Sequence, residues 1–93
     1  MLMYHATHRK RRNSIRQHGL LPNRPQWGRP CGVYVFNNDL RHPTFKYHGL
    51  WTKAPNQDLW QVTYIGPAME DEYIGNALIL LGEVDNVTLV SGN

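Results

Sequence analysis

The sequence predicts a single α+β domain over residues 1–93, and three observations carry that expectation. A basic segment near the N-terminus closes on His18-Gly19-Leu20-Leu21-Pro22, a helix-stop pattern. Short runs rich in β-branched and aromatic residues, at 32–36, 59–65, 77–81 and 87–90, are separated by clusters of Gly, Pro, Asn and Asp. A hydrophobic fraction of 41%, with three Trp and five Tyr, supplies the bulky groups that a disordered chain lacks.

Taken in order, Leu2, Met3 and Tyr4 read as a first strand, and Thr7 as the N-cap of a helix over residues 8–18. Gly19 follows as the residue able to adopt positive φ, and Pro22 blocks continuation. Ile15, Leu20 and Leu21 would hold this one principal helix on the sheet. Residues 23–30, with Pro25, Gly28 and Pro30, form a loop in which Trp27 either plugs the core edge or lines a pocket for a planar ligand. In the second strand Tyr34 faces away from Val33 and Val35. Residues 40–56 are irregular, with room for a short helix only near Asp39 to Arg41. Residues 59–65 alternate, placing Trp60, Val62 and Tyr64 on one side as a half-buried strand. Gly66-Pro67 breaks it, Glu70-Asp71-Glu72 forms an acidic turn, and residues 77–81 and 87–90 supply the last two strands.

Charge is unevenly spread. The net charge is only +3, yet Arg9, Lys10, Arg11, Arg12 and Arg16 sit together, apart from the acidic turn. Cations in a first helical turn oppose the helix dipole, so a compensating anion is expected. Either these side chains project into water, or Arg11 and Arg12 help to hold a phosphate. Cys31 is the only cysteine, which excludes an intrachain disulfide and fits a reducing, cytoplasmic setting. Met1-Leu2-Met3 before polar residues predicts no secretory leader, and no apolar run is long enough to span a bilayer.

Tyr4-His5-Ala6-Thr7, the helix end Ile15-Arg16-Gln17-His18-Gly19-Leu20-Leu21-Pro22, and Gly32-Val33-Tyr34-Val35-Phe36 resemble the N-terminal half of the ADP-ribosyltransferase-like superfamily. The resemblance covers the first third of the chain closely and the later strands loosely. It implies a small split β-sheet of the ADP-ribosyltransferase type and NAD as cofactor, with ADP-ribose transferred and nicotinamide released. His5 would hydrogen-bond a ribose of NAD, Ala6 and Thr7 would complete that wall, and Tyr34 would stack on the nicotinamide ring. The superfamily's glutamate at the start of a late strand has no clear counterpart. Glu72 would supply the charge if that strand begins early, and Asn76 would supply a hydrogen bond without it. The RNA 2′-phosphotransferase branch is similar in one half only, its polyanionic substrate being compatible with Arg9 to Arg12. The implied acceptor is a nucleic acid or a protein.

Other readings rest on single features. Five His and one Cys invite a zinc site, but neither Cys-x-x-Cys nor His-Glu-x-x-His spacing occurs, so no metal is expected. Cys31 lies between Pro30 and Gly32 without a thiol-protease context and is expected to be a small buried group at a strand start. A basic chain with Trp27, Tyr47 and Trp51 would also suit a non-catalytic binder of nucleotides or single-stranded nucleic acid.

Overall fold

The computed structural model describes residues 2–22, 30–72 and 74–93. Its strands are β1 (Leu2–His8), β2 (Val33–Phe36), β3 (Gln57–Thr63), β4 (Ala68–Glu70), β5 (Ala77–Leu80) and β6 (Val87–Gly92). A 3-10 turn (Arg9–Arg11) leads from β1 into helix α1 (Arg12–His18), and helix α2 (His48–Lys53) precedes β3. The six strands make one antiparallel sheet in the order β4-β5-β2-β1-β3-β6. The expected loop at 23–30, with Trp27, falls outside the described residues except for Pro30. Among the described residues no helix is long and apolar enough to cross a membrane.

The sheet is covered on both faces, which explains burial patterns that simple alternation misses. On one face Met3, Val33, Val35, Trp60, Val62 and Leu80 pack beneath Ile15 of α1 and Leu20. On the other, Tyr4 and Leu59 pack against Leu40, Phe45 and Trp51 of α2. Asp58, Leu59 and Trp60 are consequently all buried in succession at the start of β3, while from Trp60 to Thr63 the expected alternation holds, with Trp60 and Val62 buried and Gln61 and Thr63 less so. Leu21, expected to pack the helix down, is instead 55% exposed. Cys31, expected to be buried at the strand start, is exposed as well.

Four further expectations are corrected. Thr7 does not cap a helix: β1 stays paired with β3 from Leu2↔Thr63 to His8↔Gln57, and this ladder carries Thr7 in extended backbone opposite Asp58. His8 takes the capping role for the 3-10 turn, its Nδ1 accepting the Lys10 N–H at 3.0 Å. Asp39 to Arg41 form a turn in which Asp39 Oδ1 accepts the Arg41 backbone N–H at 2.9 Å, rather than a helix. The one-helix expectation omits α2, six residues long, whose buried side chain is Trp51. Such a segment is too short to be helical alone and is held by that packing. The acidic turn is also partly strand, since Glu70 pairs with Leu78.

β1 and β2 touch through one registered pair, Tyr4↔Phe36. Beyond it, towards Val33, no further pair with β1 is in register. The side chain of His5 crosses this gap.

Candidate functional site

A cavity of about 330 Å³ lies between the C-terminal half of β1 and α1, lined by His5, Ala6, Thr7, Arg11, Ser14, Ile15, Gly19, Leu20 and Leu21. The local sequence builds it directly. His5 alternates with buried Met3 and lies opposite Trp60, which places it on the face covered by α1. Arg11 and Ser14 are three residues apart and therefore neighbours on the helical surface. Gly19 ends α1 at φ 72° with its N–H on the Ile15 carbonyl, and Leu20 and Val84 then exchange backbone hydrogen bonds at 2.7 and 3.0 Å. This bridge anchors the cavity's far wall.

His5 has a defined protonation and tautomer. Its Nδ1 lies 2.7 Å from the Tyr34 carbonyl oxygen, which can only accept, so Nδ1 carries the proton. Burial holds the His5 pKa below its ordinary value; the Tyr34 bond opposes this and the charge on Arg11 adds to it. The neutral ring therefore keeps a lone pair on Nε2. It can accept from a hydroxyl, and Arg11 on the same cavity can meet an anion.

This burial has a thermodynamic signature. A histidine whose folded pKa is depressed binds fewer protons folded than unfolded, so stability falls as pH drops below about 6.5. Asp58 and Asp39, each held below the usual carboxylate range by bonds from Arg12 and Arg41 respectively, add a second loss below about pH 4. Urea melts from pH 8 to pH 3 should show two descending steps, and His5→Asn should remove the upper one alone. A single step in the wild type would refute the neutral, buried assignment.

The remaining expected residues are partly dispersed. Ala6 and Thr7 line the cavity with His5. Arg12 does not: its Nε and Nη2 donate to the two oxygens of Asp58 at 2.8 and 2.6 Å. Arg9 Nε stands 3.9 Å from the same carboxylate, and its guanidinium donates to the Asn93 carbonyl. Arg16 also acts electrostatically on Asp58. The compensating anion expected for this basic turn is thus inside the protein. Tyr34 alternates with Val33 and Val35, which face α1, so its ring projects to the opposite face from His5. Its hydroxyl donates to the Pro30 carbonyl at 2.5 Å, and its own carbonyl orients His5. The structure does not bring these two rings together.

Glu72 follows β4 and is exposed, and Asn76 immediately precedes β5 at φ 64°, its carbonyl accepting the Asn37 N–H at 2.9 Å. Neither is among the described residues that line the cavity. Sequence reasoning missed Ser14 and Asp58. The three-residue step from Arg11 could have shown Ser14, whereas Asp58 carries no local signal. Among the described residues, no three His, Cys, Asp or Glu side chains are grouped to hold a metal ion. No protein-family model, curated protein or solved structure matches the chain.

Proposed function

We propose that the chain binds NAD or a related ADP-ribose nucleotide in the cavity between β1 and α1, and transfers ADP-ribose from it with release of nicotinamide. The observation that carries this reading is the pairing, on one cavity, of a neutral His5 with an available acceptor nitrogen and the cationic Arg11. A ribose hydroxyl donates to the first, and a phosphate meets the second, with Ser14 and Thr7 as further hydroxyl partners. The resemblance of Tyr4-His5-Ala6-Thr7 and the strand carrying Tyr34 to the ADP-ribosyltransferase-like superfamily supports it. So does the parting of β1 from β2 beyond Tyr4↔Phe36, which is compatible with a split sheet.

In the transfer step an acceptor nucleophile bonds to the ribose C1′ as the bond to nicotinamide breaks. Glu72 is the candidate for stabilising the positive charge that develops, with Asn76 as a neutral substitute. Their position away from the cavity lining favours a second reading, nucleotide binding without turnover.

Titration with NAD and with ADP-ribose, read by thermal shift and by chemical-shift perturbation, tests binding; mass spectrometry for released nicotinamide tests transfer. Both ligands should stabilise the wild type, and Arg11→Ala should weaken them by about tenfold or more, the size of one charged hydrogen bond. Glu72→Gln should keep binding and lose nicotinamide release. Binding with no release from the wild type selects the second reading. No response to either nucleotide overturns both.

A further inference from the structure

We infer that the exposed cationic surface of the 3-10 turn and α1 docks single-stranded nucleic acid alongside the cavity. Its charge is in surplus because of how the segment is partitioned. Arg9, Arg12 and Arg16 recur at helical spacing, and one buried carboxylate, Asp58, is bonded by Arg12, stands 3.9 Å from Arg9 and feels the charge of Arg16. Lys10 and Arg11 are exposed, and Arg11 borders the cavity. One buried carboxylate against five clustered cations leaves a net positive surface that attracts polyanions.

The chemistry of the surface selects the kind of polyanion. Four of the five cations are arginines, whose planar forks suit phosphate oxygens. Ile15, the single apolar side chain of α1, is turned into the core, so the helix offers no apolar face to insert into a lipid surface. A cavity bearing a hydroxyl acceptor opens beside the charged row, and an unpaired nucleotide can enter it whereas a stacked duplex cannot. This surface stands independently of which nucleotide fills the cavity.

Fluorescence anisotropy with a labelled single-stranded RNA 20-mer, from 50 to 200 mM salt, tests the proposal. Binding should weaken with a log–log slope of about −2 to −3, as expected for three to four phosphate contacts on a single strand. The double variant Lys10→Gln/Arg16→Gln should bind about tenfold more weakly at 50 mM salt, with a slope shallower by about 1 to 1.5. Its thermal shift with NAD, taken relative to its own ligand-free melting temperature, should match that of the wild type, since neither residue lines the cavity. Unchanged affinity and slope in the double variant would overturn the proposal. So would equally effective competition by poly-glutamate or phosphatidylserine vesicles, which would assign the surface to acidic protein or membrane instead. A protein that binds RNA as described but ignores NAD would leave this surface standing and remove the nucleotide reading alone.

Discussion

Asp58→Ala should cost about 2–3 kcal/mol of stability, between the small value of an exposed ion pair and the 3–5 kcal/mol of a buried pair broken on one side. The intermediate magnitude follows from the geometry. Asp58 is fully buried, whereas the side chain of Arg12 is 31% exposed and regains water when its partner is removed. Against that relief stands the repulsion among Arg9, Arg12 and Arg16, which Asp58 offsets. For a domain of this size the loss corresponds to a fall in melting temperature of roughly 10–20 °C, measurable by circular dichroism or calorimetry. Because Asp58 lies on β3 and Arg12 on α1, the same change loosens the helix that forms one cavity wall. Arg12→Ala should add little once Asp58 is gone, and a double-mutant cycle should show that coupling. A loss below about 0.5 kcal/mol in Asp58→Ala would mean that the bridge is no more than a surface pair.

Gly19→Ala should be at least as damaging, with an expected cost of about 3 kcal/mol or more from two sources. At φ 72° and ψ −163° the backbone occupies a region that is essentially reserved for glycine. A Cβ there would also stand 2.3 Å from the Val84 carbonyl oxygen, a backbone atom that cannot swing aside. The Leu20–Val84 bridge must open to admit it, and Gly19 and Leu20 both line the cavity. The nucleotide affinity proposed for this cavity should therefore fall together with stability. Gly49→Ala provides the contrast: beyond its chain neighbours and its own helix backbone no atom lies within 4 Å of its Cβ position, it sits in α2, and the same substitution should stabilise by about 0.5–1 kcal/mol. Chemical denaturation of the two variants should shift in opposite directions, and a tolerated Gly19→Ala would show that the bridge is free to slide.

The elements with strong local signatures were legible in the chain. The run Val33–Phe36, the alternation around Trp60 and Val62, the stretch Ala77–Leu80 and the stop at Gly19 all stand where their residue types place them. Of the site, the convergence of His5, Ala6, Thr7 and Arg11 was legible, since the first three are consecutive and the helix that follows returns Arg11 over them. The strand β4 was not. Its three residues are exposed and carry no alternating pattern, and only pairing with β5 makes them a strand. Nor was α2, which Trp51 recruits from an irregular stretch by burying itself beneath the sheet.

By itself, then, the sequence determined an α+β chain, a helix with a glycine stop, and a basic segment beside a histidine, while the antiparallel pairing of the strands came from the structure. The tertiary structure alone decided what those charges face and what that histidine can do. Asp58 reaches Arg12 across 46 residues and converts an expected phosphate contact into an internal bridge. The Tyr34 carbonyl reaches His5 across 29 residues, fixes the tautomer and, with burial, keeps the ring neutral. Periodicity and propensity describe neighbours along the chain, whereas a protonation state or an ion pair is set by whichever distant group the sheet brings within about 3 Å.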